Sequence, residues 1–175
     1  LHDIESLRKI SLRVKELNPN IEFLIIGPIP EYAKNKLWGN VSFAGEKARS
    51  DIPALLATGS IGISLMKTMN STKVAMPAKV YEYIGMGLPI VVAPEGELHD
   101  FVINGNIGFA FKKMDISQIA DSLFALEKDQ ARYKQYQKQI LSIRTKFDRK
   151  NQSVVMADLI EKHFGSTEAK KVNLN

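Results

Sequence analysis

Cysteine is absent from the 175 residues, which removes a disulfide framework, a thiolate metal site and a cysteine nucleophile together and fits a reducing, cytoplasmic setting. Histidine is scarce: the three copies, His2, His99 and His163, are scattered without a nearby carboxylate pattern and make no zinc site. No Gly-x-Gly-x-x-Gly follows an apolar run, the Walker pattern is missing, and no Gly-x-Ser-x-Gly elbow occurs. Aromatic residues do not interleave with basic ones as nucleic-acid recognition would require, so no nucleic-acid partner is expected. No apolar run approaches membrane-spanning length. The first residue is Leu1 rather than methionine, which points to a polypeptide that continues upstream.

What is present suits one domain with a sizeable core, since 45% of the residues are hydrophobic. The net charge of +5 comes from 24 basic and 19 acidic residues, a modest excess that serves solubility. Much of it is local. Lys128, Arg132, Lys134, Lys138, Arg144, Lys146, Arg149 and Lys150 face only Asp129 and Asp148, giving either a solvated helical face or a patch for an anionic membrane surface or another polyanion.

Along the chain, helix and strand patterns alternate. Leu7, Ile10, Val14 and Leu17 recur at helical spacing from about Asp3, and Asn18-Pro19-Asn20 stops that helix before the apolar run 21–26. Further strands are expected at 41–44, 61–65, 89–93 and 107–111. Helices are expected around 31–37, from a Ser50 cap through Ala57, at 78–86, at 98–104, from Asp115 or Ser117 through Leu126, and at about 129–146 and 148–164. Such alternation implies a parallel, Rossmann-like α/β sheet covered by helices on both faces. Residues 1–164 form this domain and 165–175 a polar tail.

Ligands in such sheets bind at the carboxyl ends of the strands. One stretch there is denser in chemistry than the rest. Met76 and Pro77 close a loop, a short helix runs from Ala78 to about Met86, Gly87 stops it, and Pro89–Ala93 is an apolar strand. Lys79 adds a cation to a helix start whose free N–H groups already favour an anion, and Glu82, one turn on, can only accept hydrogen bonds, as a sugar hydroxyl requires. The preceding loop carries Lys67, Thr68, Asn70, Ser71, Thr72 and Lys73, enough donors to close over a diphosphate, although an ordinary polar surface loop has the same composition. After the next strand, Gly96 and Glu97 open a helix, and Glu95 with Glu97 suits a hydroxyl-rich sugar better than an anion. His99 is a weak base candidate, and His2 and His163 are read as structural or exposed.

The order proline, lysine, aromatic, glutamate, then Gly-Leu-Pro before a strand resembles the donor-binding C-terminal half of GT-B-fold glycosyltransferases of the family 4 type. The resemblance covers about 21–126, with Gly96, Asp100, Gly105 and Gly108 continuing it. It implies that Lys79, with Lys73, binds donor diphosphate and that Glu82 accepts from the ribose. It also implies a retaining transfer from a nucleotide-diphosphate sugar to a glycan or lipid-linked saccharide, without a metal or other cofactor. Val74 stands where many members have a further glutamate that contacts the transferred sugar, so sugar recognition falls to Asn70, Ser71, Thr72, Gly96 or Glu97. Two other outcomes remain open: a non-catalytic nucleotide-sugar-binding module, and a nucleotide-sugar epimerase of similar fold. The family's strand order further implies an upstream acceptor domain and a first, central strand seated between 21–26 and 61–65.

Overall fold

The computed structural model describes residues 2–164, so the expected tail at 165–175 lies outside the described residues. Helix α1 (Ile4–Leu17) begins where the Asp3 carboxylate accepts from the Ser6 N–H at 3.0 Å, leaving one fewer unsatisfied donor in the first turn. Its apolar stripe buries Ile10 and Val14 completely. Strand β1 (Phe23–Ile26) pairs in parallel with β2 (Val41–Gly45), Phe23 opposite Val41. Between them runs the four-residue helix α2 (Glu31–Lys34), and after β2 the short α3 (Ile52–Leu56).

A second parallel sheet contains β3 (Gly62–Leu65), β4 (Ile90–Ala93) and β5 (Gly108–Ala110), with β4 in the middle. All four residues of β4 are buried because helices cover both of its faces. On one face Val91 and Ala93 meet Ile10 and Val14 of α1 and Ile119, Ala120 and Leu123 of α7 (Ile116–Lys128). On the other, Ile90 and Val92 meet Val80 and Ile84 of α5 (Ala78–Met86), Leu98 and Val102 of α6 (Glu97–Gly105), and Ile140 of α8 (Gln130–Ile143). At roughly 1.5–3 kcal/mol for each fully buried aliphatic side chain, these two layers supply most of the folding drive. The expected α/β architecture, parallel and helix-covered, is therefore present.

Close approach explains two glycines. A Cβ on Gly108 would lie 1.8 Å from the Ile90 carbonyl oxygen, and one on Gly62 would lie 2.3 Å from the Tyr83 ring. The second absence of a side chain lets Tyr83 lie across β3, where its hydroxyl donates to the Ile63 carbonyl at 3.2 Å.

The two sheets are not hydrogen-bonded to each other: among the described residues β1 pairs with β2 and does not pair with β3. The outer edge of β3 is met by the Tyr83 hydroxyl on Ile63 and by the Asp3 N–H, which donates to the Leu65 carbonyl at 3.0 Å, while His2 bridges to Met66. On the other side of the gap, Glu5 on α1 accepts from Arg8 and Lys36, and those hydrogen bonds hold its carboxyl down at about 2.

Several local expectations are corrected. Ser50 does not cap α3; its hydroxyl bonds the Asp51 carboxylate at 3.1 Å, and α3 starts without a side-chain cap. Asp115 rather than Ser117 caps α7, accepting from the Gln118 N–H at 3.0 Å. The loop 66–77 contains a helix of its own, α4 (Asn70–Lys73). After α8 the chain tightens into a 3₁₀ turn, Arg144–Phe147, before α9 (Arg149–Phe164), every residue of which is exposed.

Candidate functional site

The carboxyl ends of β3, β4 and β5 carry the loops that bring the chemistry together. The β3 loop ends at Pro77, whose extended backbone (φ −62°, ψ 137°) leads directly into α5 without a side-chain cap. The N–H groups of Ala78 and Lys79 therefore lack intrahelical partners, and the positive end of the helix dipole is open to an anion. At the other end Gly87, at φ 73°, takes the left-handed conformation that terminates the helix at little cost.

Lys79 lies in the first turn and is half-buried. Burial pushes its ammonium below the ordinary lysine value, while the nearby Glu82 carboxylate pulls the other way. Among the described residues Lys79 forms no ion pair; its Nζ lies 3.4 Å from Nδ1 of His2. The His2 imidazole is itself held below its usual value by burial and by Lys79, so in its neutral form Nδ1 can accept from the ammonium. His2, read from the sequence as structural or exposed, is exposed, and the fold brings it to the Lys79 side chain because His2 and Asp3 lie along the β3 edge. Glu82, one turn on, is exposed and unpaired among the described residues, leaving both carboxylate oxygens free to accept. Beside it the Tyr83 hydroxyl is pushed up to about 12 by burial and by Glu82, so it stays a donor to Ile63.

A second group surrounds a cavity of about 250 Å³. Lys73, at the end of α4, lies 3.9 Å from Glu95, and Gly96 packs so tightly on the Lys73 backbone that a Cβ there would come within 2.6 Å of its carbonyl oxygen. The β3 and β4 loops are thereby locked together. Asn70 and Ser71 are exposed, whereas Thr72 is buried and spent locally: its hydroxyl accepts from the Met69 N–H at 3.1 Å and reaches the Lys67 carbonyl at 2.8 Å. Glu97 is exposed in the first turn of α6. His99 is buried with Nδ1 held 2.8 Å from the Asp100 carboxylate, which fixes its ring beside the α6 N-terminus.

The same cavity is lined by Lys112 and Lys113, from the loop after β5, and by Thr68, Met69 and Met114. Of these five, Thr68 had been named with the polar β3 loop; the other four had not been singled out. Two adjacent lysines just beyond an expected strand are the available signal, and their position at a strand's carboxyl end could have raised them.

Comparison with known proteins follows this geometry. A search of curated proteins returns no match for the chain. The family model described as glycosyl transferases group 1 matches residues 4–142, a span that holds α1 through α7, all but the last residue of α8, and every side chain of the two groups except His2. With well over half its length matched, the chain belongs to the glycosyl transferases group 1 family.

Proposed function

We propose that this chain is the donor-binding half of a GT-B glycosyltransferase of the family 4 type, taking a nucleotide-diphosphate sugar at the carboxyl ends of β3 and β4. The observation that carries this is Lys79: a half-buried cation without an ion-pair partner among the described residues, set in the first turn of an uncapped helix. Removing a charge from water is costly unless it is paired, and a diphosphate would pair it while also using the free N–H groups of α5. Glu82 then accepts from the ribose hydroxyls. Lys73 joins Lys79 on the diphosphate, Asn70, Ser71, Gly96 and Glu97 face the sugar side, and Thr72 shapes that loop through its internal hydrogen bonds.

The chemistry follows from charge. As the glycosyl bond breaks, negative charge builds on the leaving nucleoside diphosphate, and a fixed cation with oriented N–H groups stabilises it without needing a metal. Retention of anomeric configuration and a glycan or lipid-linked saccharide acceptor belong to the same reading. So does an acceptor-binding half, together with a further strand seated between β1 and β3, where no pairing joins the two sheets. A cytoplasmic setting with peripheral membrane contact is supported by the basic stretch 128–150 and by the exposed Val154, Val155, Met156, Leu159, Ile160 and Phe164 of α9; among the described residues no helix is long and apolar enough to cross a membrane.

Calorimetric titration with UDP, GDP and ADP tests the binding claim. Saturable binding by at least one is expected, weakened in Lys79→Ala; absence of binding by all three contradicts it.

A further inference from the structure

The cavity beside Gly96 is too large for an ion alone. Its volume of about 250 Å³ is many times the ~10–15 Å³ that one water needs by the same measure. Its walls come from the ends of three consecutive strands: Thr68, Met69, Thr72 and Lys73 after β3, Pro94 and Glu95 after β4, and Lys112, Lys113 and Met114 after β5. Methionine and proline give it an apolar floor of the kind that meets the C–H face of a sugar ring, and the remaining lining is dominated by cations.

The charge balance is specific. Among the described residues Glu95 is the one acid lining the cavity, and it already lies 3.9 Å from Lys73. Lys112 and Lys113 form no ion pair among the described residues, and both are exposed enough to turn toward a ligand. The β3 loop from Lys67 to Val74 adds one further lysine, Lys67, and no acid. A neutral hexose needs paired donors and acceptors, and although Glu95 could accept from its hydroxyls, that carboxylate is already engaged by Lys73. A site with two unmatched ammonium groups beside a hydroxyl is built for a sugar that carries negative charge.

Resting on the donor-site reading above, we propose that this cavity binds the acidic substituent of the donor sugar, a ring carboxylate, so that the enzyme uses nucleotide-diphosphate uronates. Lys112 and Lys113 hold the carboxylate, and Lys73, kept in place by Glu95 and by its backbone contact with Gly96, stands between it and the diphosphate end of the loop.

The test is calorimetry on the full chain with matched donors that differ only in the acid: UDP-glucose against UDP-glucuronate, and GDP-mannose against GDP-mannuronate. For the pair with the preferred base the uronate is expected to bind about tenfold more tightly, and the ratio should collapse toward one in the Lys112→Ala/Lys113→Ala double variant, since each charge-assisted bond is worth about tenfold or more. Equal affinities within the pair, or a ratio that the double variant leaves unchanged, overturn the inference while nucleotide binding still supports the donor site. If none of UDP, GDP and ADP binds, the donor-site reading fails and this inference falls with it.

Discussion

The β3–β4–β5 half and the β1–β2 half of this molecule are built to different standards. In the first, β4 is buried on both faces and two layers of helices close over it. In the second, two short strands leave Leu24 42% exposed and Phe43 36% exposed, and α2 and α3 are four and five residues long. The lesson is that the chemistry is mounted on the rigid half. Lys79, Glu82, Lys73 and Gly96 all stand on elements that leave or flank β3 and β4, where a displaced side chain would have to disturb a packed core.

The largest expected contrast is in stability. Ile84→Ala, which empties a fully buried position on α5, should cost about 2–5 kcal/mol, whereas Leu24→Ala on β1 should change stability by no more than about 0.5 kcal/mol; urea unfolding of both variants measures the difference. Comparable losses would erase the distinction between the halves. Next comes affinity: Lys79→Ala should weaken nucleoside-diphosphate binding by about 1.5–3 kcal/mol with the unfolding midpoint kept, and a change below about threefold would remove Lys79 from the site. Because burial lowers this ammonium, binding should also start to fall, as pH rises, below the 10.5 of an ordinary lysine; its charged form is the binding form.

Glu82→Gln keeps the shape and one acceptor, so its expected loss is smaller, about 0.5–1.5 kcal/mol of ribonucleotide affinity, read by calorimetry. A 2′,3′-dideoxy nucleotide binding as tightly as the ribonucleotide would contradict the ribose assignment. Of similar size is Tyr83→Phe, about 1 kcal/mol of stability, because the Ile63 carbonyl loses its donor. Tyr83 is raised from 10.0 to about 12, so its contribution is complete below pH 10 and is lost as pH climbs through about 12; ultraviolet titration of tyrosinate formation in wild type and variant reads this directly.

Much of the rigid half was legible in the chain. The apolar run of β4 flanked by Pro89 and Pro94, the helical spacing of Ile10 with Val14, and the glycine stop at Gly87 are local signals that the tertiary structure reinforces. That Lys79 and Glu82 share one turn of helix was equally legible, because their spacing is local. Helix α4 was not, since 66–77 has no apolar period and the helix forms through the Thr72 hydroxyl meeting the Met69 N–H. His2 at Lys79 and Lys112 with Lys113 at the cavity escaped for a different reason: residues distant in sequence meet only once the sheet has stacked the strand ends. Ser50 looked like a cap by residue type, yet its hydroxyl found Asp51 instead.

The central claim, that the ends of β3 and β4 bind a nucleoside diphosphate through the start of α5, is tested most directly by amide chemical shifts of the labelled protein titrated with UDP and GDP. Saturable shifts concentrated at Ala78–Val80 and Gly96–Leu98 are predicted, with β1 and β2 unmoved. Shifts confined to β1 and β2, or none at saturating nucleotide, would contradict it.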